Sequence, residues 1–330
     1  MIYYVNQSKD PYFNLALEEL LTKDDSITEE ILLLWQNDNT IVIGVNQNTI
    51  EEINNDYVSE HHVSVVRRLS GGGAVYHDLG NLNFTFIFTK NKDTVRNYAL
   101  FTQPIIDVLQ KIGLNAKFSG KNDILVDGKK ISGNAQYNHK NRIMHHGTIL
   151  FDVDMSILPQ VLKPDLLKLQ SKGIKSVQAR VTNILPLLAN KISIDEFKEL
   201  IVRDLQETKQ AKIVYPSKAL IAQAEKLADE KYRTWVWNYG HSPEFNLTNK
   251  VRIEGKGTVD VRLAVEKGLI RSIKIYGDFL GTLGTKALED KLIDQPYQLA
   301  TLSSIISEED IKAVFGANFS KDEVLSVLIR

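Results

Sequence analysis

Leu82, Phe84, Phe86 and Phe88 recur at every second position, with Asn83, Thr85 and Thr89 between them, shortly after three consecutive glycines. A period of two is the mark of a half-buried β-strand, so a sheet has to form here. Further β-rich runs at Ile31–Trp35, 41–45 and 63–67 supply partners. Asp127-Gly128 lies between Ile124-Leu125-Val126 and Lys129-Lys130-Ile131. It is a strong two-residue hairpin signal, because both turn positions require positive φ. Residues 138–142 give a second turn before a strand over 143–151, so the block 122–153 is expected as a three-strand antiparallel meander.

Helices punctuate these strands. Asp10-Pro11 reads as an N-cap and first helical position, followed by Phe13, Leu17, Leu20 and Leu21 at helical spacing. Residues 96–112 read as a helix interrupted at Pro104. Ser193 with Glu196 forms a capping-box pattern ahead of a helix to about Glu207, and another helix fills 217–231. Residues 239–249 are polar and turn-rich, a linker by composition. Beyond them, alternating strands over 251–275 meet at Glu266-Lys267-Gly268, and three short helices are expected with caps near Ser303, Ser307 and Ser320. The chain therefore divides into a large unit over 1–246 and a small α+β unit over 247–330. At 330 residues it is long enough for two domains.

Charge narrows the function classes. Lys and Arg total 40 against 41 Asp and Glu, so no global field draws the chain to nucleic acid or an anionic membrane. Any anion site is local. No cysteine is present, which excludes disulfides, thiolate metal sites and a cysteine nucleophile together. The N-terminus lacks the basic start and apolar stretch of a secretory signal, and no apolar run approaches the length of a membrane span; a cytoplasmic protein is expected.

Residues 67–76, Arg-Arg-Leu-Ser-Gly-Gly-Gly-Ala-Val-Tyr, place two guanidinium groups and a hydroxyl before the glycine triplet. Glycines let backbone N–H groups approach phosphate oxygens, and arginine supplies a permanent charge and a two-pronged donor. A flexible hairpin with surface arginines fits the same residues. Neither a dinucleotide-binding GxGxxG nor a P-loop is present. In the hairpin 121–136, Asn122 and Asp123 offer oxygen ligands suited to Mg²⁺. Strand alternation puts Lys129 and Ile131 on one face and Lys130 and Ser132 on the other, so only one lysine can share a pocket. Gly133, inside that strand, marks a place where a ligand comes close. His145 and His146 are adjacent on a strand and point to opposite faces, which rules out joint chelation; His146 reads as a hydrogen-bonding histidine beside a pocket. His61-His62 lies in a polar loop without a role.

Taken in order, residues 67–86 (RRLSGGGAVYHDLGNLNFTF), 121–136, His145-His146-Gly147-Thr148 and 171–184 (SKGIKSVQARVTNI) resemble the lipoate-protein ligase A family. Residues 239–246 (YGHSPEFN) and the small tail unit are similar to it too. The resemblance implies an α+β, biotin/lipoate ligase-like catalytic domain of mixed, largely antiparallel sheets packed by helices, with a small C-terminal accessory domain. It implies a two-step reaction. Lipoate and ATP give lipoyl-adenylate and pyrophosphate, and the acyl group then passes to a lysine of a lipoyl-carrier domain. Carriers of this kind are the E2 subunits of 2-oxoacid dehydrogenases and the glycine cleavage H protein. No nucleic acid or membrane partner is implied, and a monomer is expected.

By the same resemblance, Arg68 and the backbone through Ser70, Gly71, Gly72, Gly73, Ala74, Val75 and Tyr76 hold the acyl-phosphate region. Lys130 is the catalytic cation, bridging the acyl oxygen and the α-phosphate. Asn81, His146 and Gly147 belong to the same binding set. Asp123, assisted by Asn122, holds Mg²⁺ and pyrophosphate oxygens, and residues 172–181, with Lys172, Gly173 and Arg180, form the adenylate-binding loop. Where the family pattern is Gly-Arg-Asn-Asp, this chain has Gly120-Lys121-Asn122-Asp123, which keeps the charge but loses the fork-shaped donor. The base for the carrier lysine stays open between Asp123 and the adenylate phosphate. The alternative of ATP-independent acyl transfer between carriers, as in octanoyltransferases, uses a cysteine thioester that this chain cannot form. The Gly-Arg-Gly-Arg loop of biotin ligases is absent, and retention of Arg68, Lys130 and Asp123 argues against a non-catalytic lipoyl-binding protein.

Overall fold

The computed structural model describes residues 1–95, 97–162, 181–239, 247–266 and 268–329. Helix α1 (Pro11–Lys23) starts where the sequence dictates: Asp10 accepts the Tyr12 N–H and Pro11 takes the first helical position. The strands follow as β1 (Ile2–Val5), β2 (Ile31–Trp35), β3 (Thr40–Ile43), β4 (Ser64–Arg67), β5 (Val75–His77), β6 (Asn81–Thr89), β7 (Ala116–Phe118), β8 (Asp123–Val126), β9 (Lys129–His139) and β10 (Arg142–Leu150). With β11 (Lys212–Val214), eight of them form a sheet ordered β11-β1-β2-β6-β10-β9-β8-β7, while β4-β3-β5 form a second sheet. In the large sheet β1 runs parallel to β2 and β11, and β2, β6, β10, β9, β8 and β7 pair antiparallel in turn. The expected meander is β8-β9-β10. Its Asp127-Gly128 turn has φ of 48° and 79°, the mirror-image turn that hairpins favour.

Both faces of the large sheet are covered. Leu32, Leu34, Phe84, Phe86 and Phe88 pack against Phe101 and Ile105 of α2 (Tyr98–Lys111) and Phe197 and Ile201 of α3 (Ile194–Lys209). Leu33, Trp35, Ile87 and Met144 face the other way, onto Phe13, Leu17 and Leu21 of α1. The half-buried reading of β6 is thereby corrected: Asn81 through Phe88 are all buried. Asn83 lines an internal cavity, while Asn81 and Thr85 are held in buried hydrogen bonds to Asn83 and Glu18. A second correction concerns Pro104, which does not interrupt α2. The carbonyl deprived of its N–H belongs to Leu100, an exposed residue in the first turn, where water can replace the missing donor.

The C-terminal part begins with β12 (Leu247–Ile253), β13 (Gly257–Glu266) and β14 (Leu269–Gly277), an antiparallel sheet. Four helices cover it: Lys286–Leu292, Leu299–Ile305, Glu308–Val314 and Lys321–Leu328. Ser307 and Ser320 form full capping boxes, as does Ser193 at the head of α3. Ser303 is no cap. It lies inside Leu299–Ile305, and Lys286–Leu292 is a helix beyond the three expected. The two parts meet along backbone. The Gly72 N–H donates to the Phe279 carbonyl at 3.1 Å and the Gly277 N–H to the Asn46 carbonyl at 2.6 Å. No described helix is long and apolar enough to cross a membrane.

Candidate active site

Between the large sheet, the glycine loop and the C-terminal part lie two adjoining cavities, of about 200 and 550 Å³. Gly72, Gly73, Asn122, Lys130 and Leu280 border both. The smaller has an apolar wall of Leu15, Trp35, Val42 and Val75, with Arg68, His77, Asn83, Asn134 and His146 adding polar groups. The larger is polar and draws Lys121, Asn122 and Asp123 from one side and Arg252, Lys256 and Asp278 from the other.

Lys130 stands at the junction. Its Nζ lies 2.8 Å from Asp123 Oδ1, and both side chains remain about a third exposed. Lys129 does not reach either cavity, but Ser132 does not share the face of Lys130 as simple alternation predicts: the β8-β9 pairing carries one extra residue, Ile131, so Lys130 and Gly133 line the cavities and Ser132 does not. The glycine three residues beyond Lys130 has a different purpose from the one its sequence context suggested. A Cβ on Gly133 would come within 2.9 Å of the Lys130 ammonium, so the bare backbone makes room for that side chain. The strand is also tied at this point to the residues after 180: the Thr182 N–H donates to the Lys130 carbonyl at 3.0 Å.

The two arginines are consumed by the fold. Arg67 donates to the carbonyls of Gly44, Gln47 and Trp237 and to Thr49, and lies outside both cavities. Arg68 lines the smaller cavity while donating to Ser70 Oγ and the carbonyls of Val42, Gly71 and Gly73. It thus shapes the glycine loop from inside. Burial lowers both guanidinium pKa values to about 10, with Glu18 opposing that shift at Arg68, so both stay charged at neutral pH.

A buried chain of polar groups backs Arg68. The Glu18 carboxylate accepts from Thr85 Oγ1 at 2.6 Å and His146 Nδ1 at 2.9 Å. With its proton on Nδ1, His146 accepts the Ser70 hydroxyl at Nε2, 2.6 Å away, leaving the Ser70 oxygen to accept from Arg68 Nε at 3.1 Å. The order Glu-His-Ser has the connectivity of a hydrolase triad. Ser70 is 1% exposed and on neither cavity wall, so it relays a hydrogen bond and attacks nothing. His145 points the opposite way, stacked on Phe101 at 4.9 Å and bonded to Gln136 and Asn134. Burial holds its pKa well below the usual histidine range.

Of the residues singled out from sequence, Arg68, Gly71, Gly72, Gly73, Ala74, Val75, Asn122, Lys130, His146 and Gly147 line the smaller cavity, and Asp123 the larger. Ser70, Tyr76 and Asn81 stand behind the walls. The Tyr76 ring lies in the core under the second sheet, and Asn81 donates to Asn83. Lys172, Gly173 and Arg180 lie outside the described residues. Sequence reasoning missed Glu18, Trp35, His77, Asn83 and Leu280. Asn83 was visible as a polar residue in an apolar strand; the others carry no local signal. Among the described residues no three His, Asp or Glu side chains converge; Asp123, beside Lys130, and Asp278 are the carboxylates on the larger cavity's wall, and a Mg²⁺ held at Asp123 would need phosphate and water to complete its shell.

The mixed sheet thus carries an apolar-walled cavity lined by Arg68 beside a larger polar one. The chain belongs to the lipoate-protein ligase family: residues 10–206 match the lipoyl protein ligase A/B catalytic domain and residues 242–328 the bacterial lipoate protein ligase C-terminus. It is 42% identical to the lipoate-protein ligase LplJ of Bacillus subtilis, over 99% of this chain and 100% of that protein. P. falciparum LipL1, solved in complex with lipoate, superposes with a TM-score of 0.79 at 28% identity, covering 98% of this chain and 97% of that one. A lipoate-protein ligase A bound with ATP gives 0.63 at 27% identity, over 72% and 98%. A bipartite ligase from Thermoplasma acidophilum, studied with its E2 lipoyl domain, gives 0.66 at 28%, over 74% and 98%.

Proposed function

We propose that this enzyme joins lipoate to a lysine of lipoyl-carrier domains through a lipoyl-adenylate, at the cost of one ATP. The observation that carries this reading is the position of Lys130, where an apolar cavity sized for a short acyl chain opens into a polar cavity sized for a nucleotide. In the first step a carboxylate oxygen bonds to the α-phosphorus, and the bond from that phosphorus to the departing pyrophosphate breaks. Two anions must come together while charge builds on the phosphoryl oxygens, so a fixed cation at the meeting point lowers the barrier. Lys130 supplies it, pre-aimed by Asp123 and by the space at Gly133. Arg68 adds buried positive charge. Asp123 and Asn122 would hold Mg²⁺ on the pyrophosphate oxygens, where that ion neutralises the leaving group.

In the second step the carrier's neutral lysine amine attacks the acyl carbonyl, the acyl carbon–phosphate oxygen bond breaks so that AMP leaves, and the amine proton passes to Asp123 or to the departing phosphate. The smaller cavity shields the anhydride from water. The carriers we assign are apo lipoyl domains of 2-oxoacid dehydrogenase E2 subunits and the glycine cleavage H protein. We assign a monomer as the working unit. Pyrophosphate release with lipoate, ATP and Mg²⁺, measured with and without an apo lipoyl domain, tests the reading. Release that needs both lipoate and ATP, followed by carrier lipoylation, supports it. Carrier acylation without ATP, drawn from an acylated carrier protein, would replace it with a transferase.

A further inference from the structure

The paired residues Gly133, Thr148, Asn83 and Trp35 lie in one row across β9, β10, β6 and β2, and all face the smaller cavity. Lys130 marks the end that opens to the larger cavity. Neighbouring strands are about 4.8 Å apart, so from β9 to β6 the cavity runs about 10 Å. An extended eight-carbon chain with its carboxylate at Lys130 ends beside Asn83, Trp35 and His77.

That far end is not purely apolar. His77 and Asn83 are each 2% exposed, and His77 Nε2 and Asn83 Nδ2 have no hydrogen-bond partner. Which His77 nitrogen carries the proton follows from its neighbours. Asn14 Nδ2 donates to Asn37 Oδ1 at 2.9 Å, which turns the Asn37 amide nitrogen toward His77 Nδ1 at 3.2 Å. Nδ1 is therefore the acceptor and Nε2 carries the hydrogen. Asn83 Oδ1 is already used by Asn81, leaving its amide nitrogen as a second donor. Two buried donors left unsatisfied are costly, and a group able to accept from them removes that cost.

We propose that His77 and Asn83 form a specificity floor that selects acyl chains carrying hydrogen-bond acceptors at the distal end, such as the two dithiolane sulfurs, over a saturated chain of equal length. The inference rests on the ligase reading above and extends it to substrate choice. A site built around donors rejects the analogue that leaves them unpaired.

The test is adenylate formation by the full chain, followed as pyrophosphate release with lipoate, octanoate or 8-hydroxyoctanoate. The wild type is expected to favour lipoate over octanoate by about tenfold in kcat/KM, carried mainly in KM, with 8-hydroxyoctanoate between them. Asn83→Leu should bring the ratio within about threefold by improving octanoate. His77→Gln, which keeps an N–H donor, should hold the preference where His77→Phe loses it. Equal use of lipoate and octanoate by the wild type, or a ratio untouched by Asn83→Leu and by the milder Asn83→Ser, overturns the floor and leaves the ligase reading standing. Failure of every acid to release pyrophosphate overturns both.

Discussion

Ser70 Oγ and His146 Nε2 approach to 2.6 Å at the centre of a buried chain that starts at Glu18 and ends at Arg68. Ser70→Ala leaves Arg68 Nε without this acceptor and His146 without its donor. Each lost bond is worth about 0.5–1.5 kcal/mol, so adenylation should slow by roughly tenfold while the melting temperature falls only a few degrees. Steady-state pyrophosphate release on the variant checks this; an undiminished rate would mean that the guanidinium holds its place without the serine.

Lys130→Ala should cut kcat by about 10²–10³, the loss seen when one donor to developing negative charge is removed. Because the side chain is about a third exposed, folding should be untouched. Single-turnover formation of the adenylate gives the rate, and urea denaturation the stability. A variant as fast as wild type would return Lys130 to the status of a solvated surface charge.

Two cavity glycines should respond in opposite ways. A Cβ on Gly147 would sit 2.2 Å from Asn134 Oδ1 and 2.5 Å from the Phe84 ring, atoms locked in the sheet core. Gly147→Ala should therefore cost about 1–3 kcal/mol of stability. At Gly133 the first obstacle is the tip of Lys130, which can swing away. Gly133→Ala should fold nearly as well as wild type and lose adenylation. Paired denaturation curves and rates decide it, and equal stability losses in the two variants would contradict the geometry.

Burial, reinforced by the charge of Arg68, pushes the His77 pKa from 6.5 down to about 3. Below pH 6.5 the unfolded histidine takes a proton that the folded one refuses. The stabilisation is thus complete above 6.5 and drains away as pH falls toward 3, at up to about 1.4 kcal/mol per pH unit. His77→Gln should flatten that acid limb. Urea midpoints from pH 7.5 to 4.5 measure it, and parallel limbs for the two proteins would rule this contribution out.

What could be read in advance was local. The Asp127-Gly128 turn, the Asp10 cap, the capping box at Ser193 and the caps at Ser307 and Ser320 depend on neighbours within four residues, and each formed as the residues require. Pro104 and Ser303 went astray because the first lies where solvent can take over a hydrogen bond and the second sits inside a helix with an uncapped start. The site was legible only where polar residues and glycines cluster along the chain, at 67–76, 121–136 and 145–148. Glu18 could not be found that way. It sits on an ordinary helical turn, and its histidine partner is 128 residues distant. Leu280 completes a cavity whose other walls come from residues 15–148.

The seam between the two parts of the molecule is bare main chain where it crosses the glycine loop. A methyl group on Gly71 would stand 2.7 Å from the Phe279 carbonyl, so no side chain intervenes. Contacts of this sort fasten through single main-chain hydrogen bonds, each worth about as much as thermal energy or twice that. With the Lys121 ammonium on the Gly255 carbonyl, these fastenings seat Leu280 against the smaller cavity, so the tail that closes the wall is held by the very loop it covers.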